Sequence, residues 1–251
     1  MTVETWWHYT DASGLLGVLR NRQLWASSLG YLNDASEIAF GLESLEEALE
    51  DLAKDSSSRR DDIWPSNIPL ERSSVDVYAV SFSTEGDQLS QWRGYAGGTG
   101  YALGFKMDAL VSVGMKPGEP SLEPFLVRYG QEAKQILRHE LELRALGNHG
   151  RLTEADAGYL LRNLPRYKHG SFAEESEWRL TIIDADPDTV DVRARGGRLL
   201  PYVPVAIPRS ALTHVRVGPG ADAADVAAVE LMLARIGWPN VAVDRSASPY
   251  R

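Results

Sequence analysis

Hydrophobic periodicity along these 251 residues moves between two and 3.6 without settling into a regular alternation, and that excludes both a repeating βαβ series and an all-β series. Residues 5–10 (Thr-Trp-Trp-His-Tyr-Thr) predict a short strand of β-favouring side chains. Asp11 and Ser13 are cap candidates for a helix running to about Arg20, with Leu15, Leu16 and Leu19 on one face. Residues 23–27 read as a second extended segment, and Asn33-Asp34 as the cap of a long amphipathic helix over roughly 35–53. Strand signals resume at 75–83 and 100–106, with a further candidate at 125–129. Helical spacing governs 131–164, broken at 147–150. Strands return at 177–184, 189–194, 200–207 and 213–217, before a helix over about 222–236 capped by Asp222 and a last strand near 240–245.

Mixed strands with segregated helices predict one α+β domain over 1–251. The polar stretch 54–74 is expected to be a surface excursion, the most disorder-prone part of the chain. Residues 131–164 are expected to form a helical insertion, and no repeat or linker divides the sequence.

Composition narrows the chemistry. The chain has no cysteine, which removes thiol nucleophiles, disulfides and thiolate metal sites. Lys+Arg 26 against Asp+Glu 35 leaves a net charge of −9, the wrong sign for a generic phosphate-neutralising surface. No apolar run approaches the roughly 20 residues that span a bilayer, and the N-terminus lacks the basic and apolar blocks of an export signal. The expectation is a cytoplasmic protein with no membrane partner.

Four short motifs hold the residues able to do chemistry. In His8-Tyr9-Thr10, alternation places His8 with Trp6 and Thr10 on one strand face and Tyr9 with Trp7 on the other. A strand-borne histidine can fix a sugar hydroxyl; the plainer alternative is a part-buried histidine bonded to backbone. Ser81 and Ser83 share a face while Val80 and Phe82 point to the core, so the serines either line a polar cleft or begin a turn. Residues 87–95 combine Trp92, Arg93, Tyr95 and several amides ahead of the Gly-rich stretch 97–100, either as a ligand loop or as a loop tucked against the sheet by Trp92.

The richest motif is Glu174-Glu175-Ser176-Glu177-Trp178-Arg179. With a strand beginning near Glu175, residues Glu175, Glu177, Arg179 and Thr181 share a face. Carboxylates two residues apart on a strand lie roughly 6.5–7 Å apart. One can then meet developing positive charge while the other acts on an incoming nucleophile. The alternative is a solvated acidic strand entry with Arg179 in a surface ion pair of little worth. The histidines outside the first motif show no ligand spacing, so no metal site is expected. The terminal Ser246–Arg251 segment is aromatic and basic, and either folds back onto a site or frays.

The ordered set Trp7-His8-Tyr9-Thr10, Gly14-Leu15-Leu16, Leu24-Trp25-Ala26, Leu32-Asn33-Asp34 with Glu37, Ser81-Phe82-Ser83, Gln91-Trp92-Arg93 with Tyr95, Gly104-Phe105, Lys168, Glu175-Ser176-Glu177-Trp178-Arg179, Ser246 and Pro249-Tyr250-Arg251 resembles a bacterial and phage domain family with no assigned function. More distantly, a first strand bearing His8, a Gly-Leu-Leu helix and a Leu-Trp-Ala strand resemble the opening of ADP-ribosyltransferase-fold enzymes. The late ExE pair is similar to the arginine-type branch of those enzymes, and His8 to the histidine-type branch.

This resemblance implies an ADP-ribosyltransferase-like mixed or antiparallel β core with peripheral helices. It also implies NAD as substrate and a macromolecular acceptor, protein or nucleic acid, in a toxin or phage-defence setting. His8, with Tyr9 and Thr10 beside it, would hold the NAD ribose, and Trp92, Tyr95 or Tyr101 would stack on nicotinamide. The second motif element stays open between Ser81, Ser83, Tyr95 and Tyr101. Glu177 would stabilise the oxocarbenium-like transition state, Glu175 would orient or deprotonate the acceptor, and Arg179 or Arg93 would hold a phosphate. The alternatives carried alongside are an NAD glycohydrolase, a non-catalytic nucleotide-sensing or protein-interaction module, and a metal-dependent nuclease built on Glu175 and Glu177.

Overall fold

The computed structural model describes residues 5–31, 35–71, 77–96, 99–115, 119–195, 197–238 and 240–249, with the side chains of 35–37 and 195 left out. The proposed cap Asn33-Asp34, the Glu37 side chain, the glycines at 97–98 and Tyr250-Arg251 therefore lie outside the described residues.

The fold is a mixed α+β architecture around a mostly antiparallel ten-stranded sheet. The first half supplies β1 (Thr5–Thr10), α1 (Ala12–Asn21), β2 (Gln23–Ser28), α2 (Ala35–Asp55), α3 (Arg60–Ile63), β3 (Val77–Ser83), α4 (Leu89–Tyr95), β4 (Tyr101–Lys106) and α5 (Met107–Val111). There follow β5 (Glu123–Leu126), β6 (Arg128–Tyr129), α6 (Gly130–Gly147), α7 (Glu154–Asn163), β7 (Tyr167–Lys168), β8 (Glu177–Ile183), β9 (Asp191–Arg195), β10 (Arg198–Ala206), β11 (Leu212–Val217), α8 (Ala223–Ile236) and β12 (Ala242–Arg245). Caps act where the sequence places them. Asp11 accepts from the Gly14 N–H at 2.7 Å, and Asp222 accepts from the Ala224 and Asp225 N–H groups.

The sheet runs β12-β11-β4-β1-β3-β2-β10-β9, with β8 on β3 and β5 on β8. Among the described residues, only β11 and β12 pair in parallel within it. The decisive feature is a fork at β3. One edge of β3 pairs with β8 along its whole length, from Val77↔Ile183 to Ser83↔Glu177. On the other edge, β1 meets it at Trp7↔Ser83 and β2 at Ser27↔Ala79 and Ser28↔Tyr78. Between those two contacts β1 and β2 splay apart over residues 80–82.

One face of the sheet is a continuous apolar core. Trp6, Val80, Phe82, Leu103, Leu180 and Ile182 pack there against α1, α5 and α8. The opposite face is covered in two patches. Helices α2, α6 and α7 bury Val77 and Ala79, while α4 buries Trp7, Tyr9 and Ala102 under Trp92. The helical stretch expected at 131–164 thus builds a second core with α2. Ile63 and Trp64, from the polar segment expected to be an excursion, are buried in that core too. The uncovered strip between the two helical patches falls at the fork.

Candidate active site

A cavity of about 780 Å³ opens through the fork, a size typical of small-molecule clefts. Because the sheet is split there, residues of both faces reach one space. His8 and Thr10 come from the face packed by α1, and Ser81 and Glu177 from the face covered by α4 and α2. Gly14 at the start of α1 lets the helix sit against β1, since a Cβ there would lie 1.9 Å from Thr10 Oγ1.

His8 closes the gap left by the missing strand pairing. Its Nδ1 lies 3.0 Å from the carbonyl oxygen of Ser81. A carbonyl only accepts, so Nδ1 carries the proton, and in the neutral ring Nε2 is then the acceptor. Backbone bonding and cleft lining, posed as alternatives for His8, are both present.

The second wall is a buried charge cluster. Glu177, Arg179 and Thr181 share a face of β8 as alternation requires, but that face is covered and all three are buried. The Arg179 guanidinium grips the Glu177 carboxylate from Nε at 2.6 Å and Nη2 at 3.1 Å, and donates through Nη1 to the carbonyl of Pro165. The short strand β7 brings Lys168, 2% exposed, to the same place. Its Nζ lies 2.6 Å from Glu175 Oε2 and 3.1 Å from Glu177 Oε2. The backbone N–H of Glu177 donates to the Tyr129 hydroxyl at 2.9 Å.

Glu175 departs from its expected place. A 3-10 turn spans Gly170–Glu175, and Ser176 takes a left-handed conformation with φ 44° before β8 begins at Glu177. A non-glycine residue in that region costs roughly 1–2 kcal/mol. This reversal lifts Glu175 off the strand and turns its carboxylate to Lys168 and to the Tyr95 hydroxyl, 3.1 Å from Oε1. The two acids therefore flank one ammonium instead of standing in line along a strand.

Their proton affinities separate as a result. Burial pushes the Glu177 carboxyl up, but Arg179 and then Lys168 outweigh it, aided by a hydrogen bond from Ser81, and hold it well below the usual carboxylate range. Burial also pushes Glu175 up; Lys168 and Tyr95 only partly oppose that, Glu177 adds to it, and the net direction is upward. A fixed anion beside a carboxyl of raised proton affinity is the pattern by which paired acids take different roles. Tyr129 is pushed up to about 12, chiefly by burial, and stays protonated.

Several expected site residues are not in the cleft. Trp92 is fully buried in the small aromatic core, edge-on to Tyr9, with Nε1 donating to Asp87 at 2.8 Å. It is closed to any ligand. Tyr9 packs its ring in that core, its hydroxyl donating to the Glu85 carbonyl and accepting from the Gln88 N–H. Burial raises its phenol well above the usual range. Arg93 is exposed on the outer side of α4, away from the cavity. Tyr101 packs against the main core near Asp225 and does not line the cavity. Arg179, locked onto Glu177, cannot hold a phosphate. Ser83 lines the cavity but is buried, its hydroxyl accepting from the Glu85 N–H as a turn residue does. Tyr95 and Ser81 are the members of the second-element set whose side chains reach the cluster.

Residues 87–95 are a helix with a preceding turn, not the loop expected. The chain end fixes that helix: Ser246 and the Ala247 N–H both donate to the Asp87 carboxylate, and Ser248 to the Asp87 carbonyl. Asp87 in turn anchors Trp92, so Ser246–Ser248 are held against the start of α4 and not in the cavity, where the expectation of a tail folded onto a site would put them. Gln88 and Gln91 donate to the carbonyls of Glu174 and Glu175. Position 175 is thus held from α4 as well as from β7.

The outer wall was not anticipated. Arg193 of β9 lies 4.7 Å over the Trp25 ring and donates to Ser27 Oγ at 2.8 Å. Arg198 on the paired strand and Tyr31, 66% exposed, also line the cavity. Nothing in spacing marks Arg193 or Arg198, because only the β9–β10 hairpin and its pairing to β2 carry them to the fork. Lys168 has a sequence signal only through the family pattern that contains it.

Among the described residues no helix is long and apolar enough to cross a membrane. No curated protein matches the chain, and no solved structure does. Residues 91–180, the span from α4 to the middle of β8, match the model of DUF2971, a protein family of unknown function, in agreement with the resemblance to a family without an assigned activity.

Proposed function

We propose that the cleft transfers ADP-ribose from NAD to an acceptor group, with Glu175, Glu177 and His8 as its working residues. The observation that carries this reading is the pair of carboxylates that line the cavity on either side of the Lys168 ammonium, Glu177 gripped by Arg179 and Glu175 turned toward Tyr95. In the transfer, the bond between the nicotinamide nitrogen and ribose C1 breaks, and its electron pair goes to the nicotinamide ring. An acceptor oxygen or nitrogen bonds to C1, and its proton passes to Glu175. Glu177 is the fixed anion facing the positive charge that develops on the ribose. His8, with Nδ1 tied to Ser81, presents its other nitrogen to a ribose hydroxyl, and Thr10 lies beside it. Arg193 and Arg198, which line the outer wall, would take the diphosphate, the task that Arg179 and Arg93 cannot perform.

A metal-dependent nuclease is a poorer reading, since a cation shared by Glu175 and Glu177 would have to displace the Lys168 ammonium that already stands between them.

The test is mass spectrometry of NAD and of cell extract after incubation with the protein. Nicotinamide release with an ADP-ribosyl mass on a macromolecule is expected, and free ADP-ribose alone would make water the acceptor. Glu175→Gln should lower release by about 10²- to 10⁴-fold, compared at a temperature where the variant's unfolding curve shows it folded, because the change also takes a charged partner from Lys168. Undiminished release in that variant would remove Glu175 from the mechanism. A thermal shift with NAD but no release would point instead to a nucleotide-sensing module.

A further inference from the structure

We propose that Lys168 is the positioning residue of this cleft, an ammonium that holds Glu175 as an oriented carboxylate against the cavity while balancing the charge of Glu177. It rests on the assignment of Glu175 as the group that takes the acceptor's proton. The geometry is specific. Lys168 sits on the two-residue strand β7, whose parallel pairing with β6 sets Tyr129 beside it. Its Nζ bridges Glu175 and Glu177 and lies 4.9 Å over the Phe172 ring. Phe172 belongs to the same 3-10 turn that carries Glu175, so the middle and the end of the turn both meet one ammonium.

Among the described residues, the groups facing the Glu175 carboxyl are Lys168 from β7, Tyr95 from α4, Glu177 from β8 and Tyr129 from β6, with Arg179 of β8 behind Glu177. Arg179 is committed to Glu177 by two hydrogen bonds. Lys168 is the cation in direct contact with Glu175. Without it, among the described residues, Glu175 would face burial and a neighbouring anion with the Tyr95 phenol as its side-chain hydrogen-bond donor, and would take up a proton.

The experiment is a carboxyl-carbon NMR titration of the protein without substrate, with the Glu175 signal assigned by its loss in Glu175→Gln. In Lys168→Met the Glu175 midpoint should rise by about one to three pH units, and the acid limb of nicotinamide release should move with it. A purely structural lysine would lower activity at every pH and leave the midpoint in place; an unmoved midpoint overturns the proposal. If Lys168→Met does not fold at neutral pH, the double variant Lys168→Met/Glu175→Gln decides. It removes one charge of each sign, so recovery of the fold supports the charge balance and continued unfolding overturns it. A wild-type protein that releases no nicotinamide yet shows the shift would sink the transfer reading alone and leave Lys168 in control of Glu175.

Discussion

Two Trp-Arg pairs bracket the segment matched by the family, and the fold treats them oppositely. At Trp92-Arg93 the ring is fully buried and the guanidinium stands in solvent. At Trp178-Arg179 the ring is half-buried against the core, while the guanidinium is 2% exposed and bonded to Glu177. The first pair lies on α4, a short helix with one face on the sheet and the other in water. The second lies on β8, where neighbouring side chains point to opposite faces and both faces are covered. A strand roofed on both sides must give its polar residues partners, and at β8 those partners form the cleft's charge cluster. A helix covered on one side can leave its arginine to water.

The largest expected effect of breaking this contrast is at Arg179. Arg179→Met leaves Glu177 buried without its bidentate partner, a loss of about 3–5 kcal/mol measurable by urea unfolding. The sign with pH follows from the direction of the Glu177 shift. Its depressed folded value contributes stability present above the unfolded carboxyl range and lost as pH falls through the folded value. The deficit of Arg179→Met against wild type should therefore be greatest near neutrality and shrink on acidification. A deficit independent of pH would mean that packing, not charge, is what the arginine supplies.

Trp92→Phe tests the other pair. It keeps most of the apolar bulk but removes the Nε1 donor to Asp87, which should cost about 1.5–3 kcal/mol for a hydrogen bond to a charged group. Near-UV circular dichroism should show α4 loosened, and a wild-type unfolding midpoint would contradict the anchoring role. The smallest effect belongs to Arg93→Ala, expected within about 0.5 kcal/mol of wild type. Unchanged nicotinamide release is expected as well, and a large loss of release would return Arg93 to the site.

Most strands and helices were legible because alternation and 3.6 spacing are local properties. β1, β3, β8 and β11 fall within a few residues of their expected ranges, and His8 does share a face with Trp6 and Thr10. Glu175 was misplaced because nothing in Glu-Ser-Glu announces a left-handed serine, which ends the turn and reverses the direction of one carboxylate. Trp92 reads as a ligand wall in sequence because aromatic character does not tell a binding wall from a small core. Lys168 carries no chemical signal in its own spacing, since its partnership depends on a two-residue strand paired with β6 that brings its ammonium to Glu177.

By itself, the sequence determined the alternation on each strand, the caps at Asp11 and Asp222, and the choice of carboxylate and histidine chemistry in a chain without cysteine. The tertiary structure alone decided which faces are roofed, that β1 and β2 part over β3, and that Lys168, Glu175, Glu177 and His8 meet at the gap. The physical reason is range. Periodicity says which side of its own element a residue takes, whereas burial, and with it the proton affinity of a carboxyl, depends on elements far along the chain that come to cover that side.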